Sequence, residues 1–374
     1  MVNARRIALL FATSGHSGVD RVLANLLPEL GAAPHAFDLL GIRNHGPYLD
    51  AVPGNVRRIT LPAAHRNTVL PGLIRYLRRE RPAALLTASH RLNRAAVIAR
   101  VVAGVPLHLT LRMGMSLSGL AVEQGPRRSA RLFRSMRRWY PRADAVVAPS
   151  AGVADDLERL AGVGAERLHV IPNPIVNARF EALAAEVLDD PWLAPGAPPV
   201  LLGAGALEPR KDFATLVRAF ARLRRERACR LIILGEGRER PRLEALAAEL
   251  GIAEDLRLPG HVANPYPWMA RAAVFALTSR REGSGAVLVE ALACGTPVVA
   301  TDCPSGPAET LQQGRIGPLV PVADDAALAS ALSCLLGDPP PAAELRAAAE
   351  PFRADVAARR YLAALGLEPT GESP

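Results

Sequence analysis

The chain has 374 residues, 49% of them hydrophobic and 22% charged, which excludes a disordered or low-complexity protein and suits two globular domains of about 150 residues each. Aromatic residues make up only 4%, so the core must rest on Leu, Val, Ile and Ala, and nucleic-acid binding through stacked rings is not expected. The net charge of +9 is lopsided, with 24 arginines against 11 carboxylates in residues 1–171 (+13) and −4 over the rest; a basic half suits a polyanion such as an anionic membrane surface or a phosphorylated acceptor.

The first predicted element is the strand Ile7–Ala12. Arg5 and Arg6 stand before it as they would before the core of a signal peptide. The run is short, however, and Gly15 and Gly18 lead straight into a helix pattern over Val19–Leu30, so a strand and a Gly-rich turn are expected. Those glycines let a ligand approach the backbone. His16, between them, faces that ligand or is a surface loop residue. A strand over Ala84–Thr87, a helix over Asn93–Ala103 and a strand over Leu107–Leu111 follow. His90 and Arg91 stand just past one strand and Arg112 past the other, where open α/β sheets bind ligands; a solvated loop position is the alternative. Arg100 interrupts the most apolar stretch, Ala95–Leu111, so no membrane span is expected. Pro126–Arg142 (PRRSARLFRSMRRWYPR) holds seven arginines, with Ser129, Phe133, Met136 and Tyr140 at helical spacing. Such a helix docks on anionic lipid or is a surface helix whose apolar stripe enters the core. The strand Ala145–Ala148, the helix Ala151–Leu160 with Ser150 as its cap, and the strand Leu168–Ile171 close the half.

Pro172-Asn173-Pro174 then breaks the pattern, and a proline-dotted stretch runs to Pro199. Beyond it the strands Val200–Ala204, Leu231–Leu234, Val274–Leu277 and Val298–Ala300 alternate with helices over Phe213–Arg224, Arg240–Leu250 and Ala286–Ala293. This is a second β-α-β series. The segment Gly203–Phe213 (GAGALEPRKDF) joins its first strand to its first helix. Lys211 there is the only lysine among 45 basic residues, which suggests a need for a compact point charge. Gly235-Glu236-Gly237 lacks the third glycine of a dinucleotide fingerprint and reads as a tight turn. Cys229, Cys294, Cys303 and Cys334 show no metal-ligand spacing and fit a reducing compartment. Val322-Ala323-Asp324-Asp325 reads as the N-cap of a helix, and Ala342–Leu365 reads as helical.

Ser279–Glu309 (SRREGSGAVLVEALACGTPVVATDCPSGPAE) carries the strongest signal. Glu282 and Glu290 are eight apart, and the turn Gly283-Ser284-Gly285 between them opens a helix. Backbone N–H groups at a helix start, Ala286 and Val287 included, attract phosphate. Carboxylates beside it accept hydrogen bonds from hydroxyls. A sugar-nucleotide offers a diphosphate and hydroxyls together.

This segment resembles the E-x7-E region of family-4 retaining glycosyltransferases of the GT-B fold, of the bacterial polysaccharide and lipopolysaccharide type. Glu282, Gly283, Gly285, Glu290, Ala291, Ala293, Gly295, Pro297, Val298, Val299, Thr301, Asp302, Gly306 and Glu309 match in order. Gly205, Leu207, Lys211, Asp212 and Phe213 are similar to the family's G-R-L-x-x-x-K-D-F. The resemblance implies that Glu282 contacts the donor sugar, that Glu290 contacts the ribose, and that Lys211 neutralises the diphosphate. It also implies that Gly15, Gly18, Gly205, Arg210, Gly235 and Gly283–Val287 line the donor. His16, His90 and Arg112 are placed near the acceptor. The chain departs from the family at Ala206, where an arginine is usual, and at Ser284 and Ala286, where Phe and Asn are usual.

The expected fold is α/β with GT-B architecture, two doubly wound Rossmann-like parallel-sheet domains facing across a cleft. Residues 1–172 would bind acceptor and 173–350 the sugar-nucleotide, with 351–374 a C-terminal helix crossing back to the first domain. The expected function is transfer of a hexosyl-type sugar from a nucleotide diphosphate, most simply a UDP-sugar, to a glycan or lipid-linked acceptor with retention. Neither metal nor cofactor is expected. The location implied is cytoplasmic, at the inner face of the cell membrane if the basic helix docks there. The alternative is a weakened relative that binds sugar-nucleotide or glycan without efficient transfer, for which Ala206 is the reason. A phosphorylase would need a pyridoxal lysine, and the single lysine is already assigned.

Overall fold

The computed structural model describes residues 5–11, 18–42, 52–63, 65, 67–282, 285–304 and 306–367. The chain divides into two compact units, one of residues 1–175 with 353–374 and one of residues 176–352.

In the first unit the order is β1 (Arg6–Phe11), α1 (Gly18–Gly31), β2 (Ala36–Gly41), β3 (Val56–Thr60), α2 (Leu70–Glu80), β4 (Ala84–Ala88), α3 (His90–Ala103), β5 (His108–Arg112), α4 (Leu117–Gln124), α5 (Pro126–Trp139), β6 (Ala145–Ala148), α6 (Ala151–Ala161) and β7 (Leu168–Val170). The seven strands form one parallel sheet in the order β3-β2-β1-β4-β5-β6-β7. Sheets covered on both faces need strands apolar on both faces, and β1 divides accordingly. Ala8 and Leu10 enter the core under α2, α3 and α5, while Ile7, Leu9 and Phe11 enter the core on the opposite face.

The second unit holds α7 (Phe180–Ala184), β8 (Val200–Ala204), α8 (Phe213–Arg224), β9 (Arg230–Leu234), α9 (Arg240–Glu249), β10 (Leu256–Gly260), α10 (Tyr266–Arg271), β11 (Val274–Leu277), α11 (Ala286–Cys294), β12 (Val298–Thr301), α12 (Pro307–Thr310), β13 (Leu319–Val320), α13 (Asp325–Gly337) and α14 (Ala342–Ala348). Its strands are parallel in the order β10-β9-β8-β11-β12-β13. That is the doubly wound 3-2-1-4-5-6 order, with its topological switch between β8 and β11. Asp324 caps α13 by accepting from the Ala327 N–H at 2.8 Å.

The chain then returns to the first unit as α15 (Ala354–Ala364). Ala357, Ala358, Tyr361 and Ala364 complete the core on the α1 side. The Ala364 carbonyl accepts from Thr110 Oγ1 at 2.7 Å and lies 3.0 Å from His108 Nε2, both on β5. The expected single helical tail is therefore two helices, parted by a short turn at Glu350–Phe352 that holds Pro351.

The chain passes between units after Ile175, three residues beyond the position expected from the prolines. Asn25 Nδ2 on α1 donates to the Pro174 carbonyl at 2.9 Å, and Arg112 Nη2 donates to Asn173 Oδ1 at 2.6 Å. These bonds bind the Pro172–Pro174 segment to the first unit.

Asp38, in the middle of β2, is wholly buried. Its carboxylate accepts from Arg6 Nη1 at 2.9 Å, from Arg57 at 3.0 Å and from Tyr76 Oη at 2.6 Å. Burial alone would raise its pKa. Hydrogen bonds from Arg57 and Tyr76 and the charges of Arg6 and Arg57 outweigh burial and hold it below the usual aspartate value. An aspartate held low contributes stability above about pH 4 that is lost as pH falls through its folded value. Asp38→Asn is expected to lower the Tm at pH 7 and to flatten the decline of Tm from about pH 5 downward. Parallel acid limbs for wild type and variant in scanning fluorimetry would contradict this.

Candidate functional site

The loops that follow β8 and β11 leave the sheet at its switch point, where open α/β sheets hold ligands. Four bonds tie these loops together. The Arg280 N–H donates to the Arg210 carbonyl at 2.8 Å. Thr278 Oγ1 donates to the Lys211 carbonyl at 2.9 Å. Arg280 Nη2 pairs with Asp212 Oδ2 at 2.9 Å. Lys211 Nζ donates to Glu282 Oε1 at 2.5 Å, and both side chains are only about one-tenth exposed, 9% and 10%.

Glu282 Oε1 also accepts from Ser279 Oγ at 2.5 Å, and Thr301 Oγ1 at the end of β12 donates to the Ser279 carbonyl at 2.5 Å. Cys303 lies close by. Burial, and then the Glu282 charge, push its thiol up to about 11. Asp212 adopts a left-handed conformation (φ 48°) and accepts from Thr215 in the first turn of α8. That turn sets the direction of the preceding lysine.

Gly205 and Gly235 are forced by close packing of two loops. The Gly205 N–H donates to Leu234, and the Leu207 N–H donates to Glu236. Gly235 has φ +131°, and a Cβ there would meet the Gly205 carbonyl oxygen at 1.9 Å. A Cβ on Gly205 would lie 3.1 Å from Lys211 Cε, so this glycine leaves room for the lysine. Arg210 turns to Glu208 at 3.0 Å, an exposed and weak pair.

Gly285 is the left-handed N-cap of α11 (φ 58°), followed by the half-buried Ala286 and Val287. Glu290, in the second turn, has no solvent exposure, so a ribose would reach it only by displacing its cover. Gly283 and Ser284 lie outside the described residues, as do Gly15 and His16.

The second unit therefore brings together Gly205, Arg210, Lys211, Gly235, Glu282 and the start of α11, and adds Thr278, Ser279 and Arg280, which sequence reasoning missed, and Thr301, which matched the family pattern without being assigned to the site. The local signal for the first three was the run of polar residues just past the strand Val274–Leu277.

The first unit is different. Its switch point lies between β1 and β4, and Gly18 opens α1 beyond β1. His90 is the half-buried first residue of α3 after β4. It follows Ser89, which takes φ 88°. Arg112 corrects the sequence expectation. It is 3% exposed, and its guanidinium is committed inside the unit, from Nε to Tyr361 Oη at 3.0 Å and from Nη2 to Asn173. It ties α15 and the crossing segment to β5.

The stripe on α5 is also internal. Ser129 and Met136 are buried, and Leu132, Phe133 and Trp139 pack on the core. Arg127, Arg128, Arg131 and Arg134 are exposed, and no ion pair forms to them among the described residues. Arg137 differs, donating to the Leu160 carbonyl at 3.1 Å. Among the described residues no helix is long and apolar enough to cross a membrane.

Two family descriptions match the chain, "Glycosyl transferase 4-like domain" over residues 17–174 and "Glycosyl transferases group 1" over residues 198–338. One relative is the N-acetylgalactosamine-N,N'-diacetylbacillosaminyl-diphospho-undecaprenol 4-alpha-N-acetylgalactosaminyltransferase of Campylobacter jejuni, 35% identical over 53% of this chain and 52% of its own. Another is the lipopolysaccharide core biosynthesis glycosyltransferase LpsE of Rhizobium meliloti, 33% identical over 54% of this chain and 56% of its own. The chain thus spans about half the length of these curated relatives. Among solved structures, the lipopolysaccharide outer core galactosyltransferase WaaB superposes with a TM-score of 0.75 at 19% identity, over 96% of this chain and 99% of its own. Anabaena HepE in complex with UDP superposes with a TM-score of 0.78 at 20% identity, over 96% and 99%. At these identities the structures establish the fold, which is GT-B.

Proposed function

The chain belongs to the group 1, 4-like glycosyltransferases, and from that premise we propose that it moves a sugar from a nucleoside diphosphate, a UDP-sugar in the first instance, to a glycan or lipid-linked acceptor in cell-surface polysaccharide synthesis. The observation that carries this reading is the placement of Lys211 and Glu282 together at the switch point of the second sheet. Lys211 supplies the charge that a departing diphosphate needs, and Glu282 supplies an acceptor for sugar hydroxyls. The N-terminus of α11 adds N–H groups for phosphate. The named relatives act on a lipid-linked diphosphate and in lipopolysaccharide core synthesis, which supports an acceptor of that class bound by the first unit, with His16 and His90 as its candidate contacts. Retention, the hexosyl class and independence of divalent metal are part of the proposal; EDTA is expected to leave turnover unchanged.

The test is a thermal-shift series with UDP, GDP and ADP. A nucleotide at 100 times its Kd stabilises its site by about 2.7 kcal/mol, so one of the three should raise the Tm and Glu290→Gln should weaken that nucleotide. The absence of any shift would overturn the donor reading. Ala206 favours a second reading, binding without efficient transfer, because one charge-assisted bond to a leaving group is worth about 1.5–3 kcal/mol. Nucleotide binding with no transfer from a radiolabelled sugar-nucleotide panel would select it.

We assign the exposed arginines of α5 to an anionic surface, by charge alone, since the apolar stripe is taken up by the core. Arg131, Arg134 and Arg138 replaced together by Gln should weaken sedimentation with phosphatidylglycerol vesicles by about 100-fold, at about 1 kcal/mol for each arginine near the surface, and by less as added salt screens the charges. Nucleotide binding should not change. Equal sedimentation of wild type and variant would return α5 to an ordinary surface helix.

A further inference from the structure

Lys211 already has a counter-ion. Its Nζ lies 2.5 Å from Glu282 Oε1, and the two charges cancel in a place that is nine-tenths shielded from water. Their reach is set by the surrounding bonds, with Ser279 Oγ holding the same carboxylate oxygen and Thr278 holding the lysine backbone. A diphosphate approaching this lysine meets a neutralised cation and a carboxylate beside it, and like charges in a shielded place oppose one another.

We propose that Glu282 is a counter-ion that the diphosphate must displace, and that this exchange makes the site prefer an intact sugar-nucleotide to the spent nucleoside diphosphate. The inference rests on the donor reading above. An intact donor compensates the displaced Glu282, because its sugar hydroxyls donate to the carboxylate. A spent nucleotide brings the same phosphates and no such hydroxyls. Once the sugar has left, Glu282 regains Lys211 and favours release of the nucleoside diphosphate. Glu282 is thus a specificity-determining residue for donor over product, besides any contact it makes with the reacting sugar.

The experiment is calorimetric titration of the full chain with UDP, GDP and inorganic pyrophosphate as spent-side probes and UDP-glucose and GDP-mannose as intact probes. Wild type, Glu282→Gln, Lys211→Met and the double variant are compared. Glu282→Gln is expected to bind the nucleoside diphosphate about tenfold tighter, the size of one competing charge-assisted bond. Its gain for the matching sugar-nucleotide should be smaller, and the tightening should vanish when Lys211 is Met. A merely structural role would show no such dependence on Lys211. If Glu282→Gln fails to fold, Glu282→Asp, whose shorter side chain retracts the carboxylate, should give a smaller gain of the same sign, about threefold. Unchanged or weaker nucleotide binding in the folded variant, or a gain that persists without Lys211, overturns the exchange and leaves the donor site standing. Failure of wild type and every variant to bind any probe overturns the donor reading, and the exchange with it.

Discussion

Lys211→Ala is expected to lower kcat/KM by about 100- to 1,000-fold, the loss seen when one preorganised electrostatic partner of a developing anion is removed. The two positions nearest to hand do not replace it. Arg210 is turned to Glu208, and the position next to Gly205 is Ala206. From sequence alone the substitution reads as harmless to the fold, because the side chain is assigned to phosphate only. The structure changes that expectation. Glu282 would keep its charge in a shielded place without its cation, which costs about 3 kcal/mol, so the Tm should fall along with the rate. The double variant Lys211→Ala, Glu282→Gln separates the two effects. It should recover much of the stability, since no buried charge is left unpaired, and none of the activity. A single variant with unchanged kcat/KM would remove Lys211 from the reaction.

Tyr361→Ala is expected to destabilise the first unit by about 4 kcal/mol, within the range for deleting a large buried aromatic side chain. Tyr361 has no exposure and stands in the core shared by α1, α15 and the sheet. Its hydroxyl also accepts from Arg112, which is itself buried. Tyr361→Phe should cost less, about 1.5–2 kcal/mol, because it removes only the acceptor of that charged donor. Denaturant titration of both variants checks the ordering. Equal losses would mean that the hydrogen bond dominates, and a negligible loss for Ala would mean that α15 is not part of the first core.

What the sequence made legible follows from burial. The strands Ala84–Thr87, Val200–Ala204, Val274–Leu277 and Val298–Ala300 are apolar runs because central parallel strands are covered on both faces, and all four are present. The edge strands β3 and β10 hid. Val56–Thr60 carries Arg57 and Arg58 in succession and is exposed at three positions out of five, while Leu256–Gly260 alternates and ends in Pro-Gly. β2 hid for another reason, since Asp38 interrupts its apolar run and is balanced only by partners from β1, β3 and α2. α2 opens with Leu-Pro-Gly, which reads as a turn although proline is well placed in the first turn of a helix. Arg112 misled because position past a strand end does not reveal which way a guanidinium turns. Glu282 and Lys211 each stand out in the sequence, but their meeting across 71 residues depends on which strands neighbour the switch point, and no local pattern encodes that.

The return of the chain has a consequence for biosynthesis. Residues 176–352 form a unit whose two ends are paired, the Val176 N–H donating to the Phe352 carbonyl at 3.1 Å. That unit is contiguous in the chain and can close from its own residues alone. The first unit cannot, because Leu23, Leu27 and Leu30 share their core with Tyr361 and Ala364. At about 5–20 residues per second, synthesis of the intervening stretch takes on the order of 10–35 s. Throughout that interval the nascent first unit presents an uncovered aliphatic face. Chaperone engagement should therefore concentrate on the earliest part of the chain and end only when α15 emerges to complete the first core.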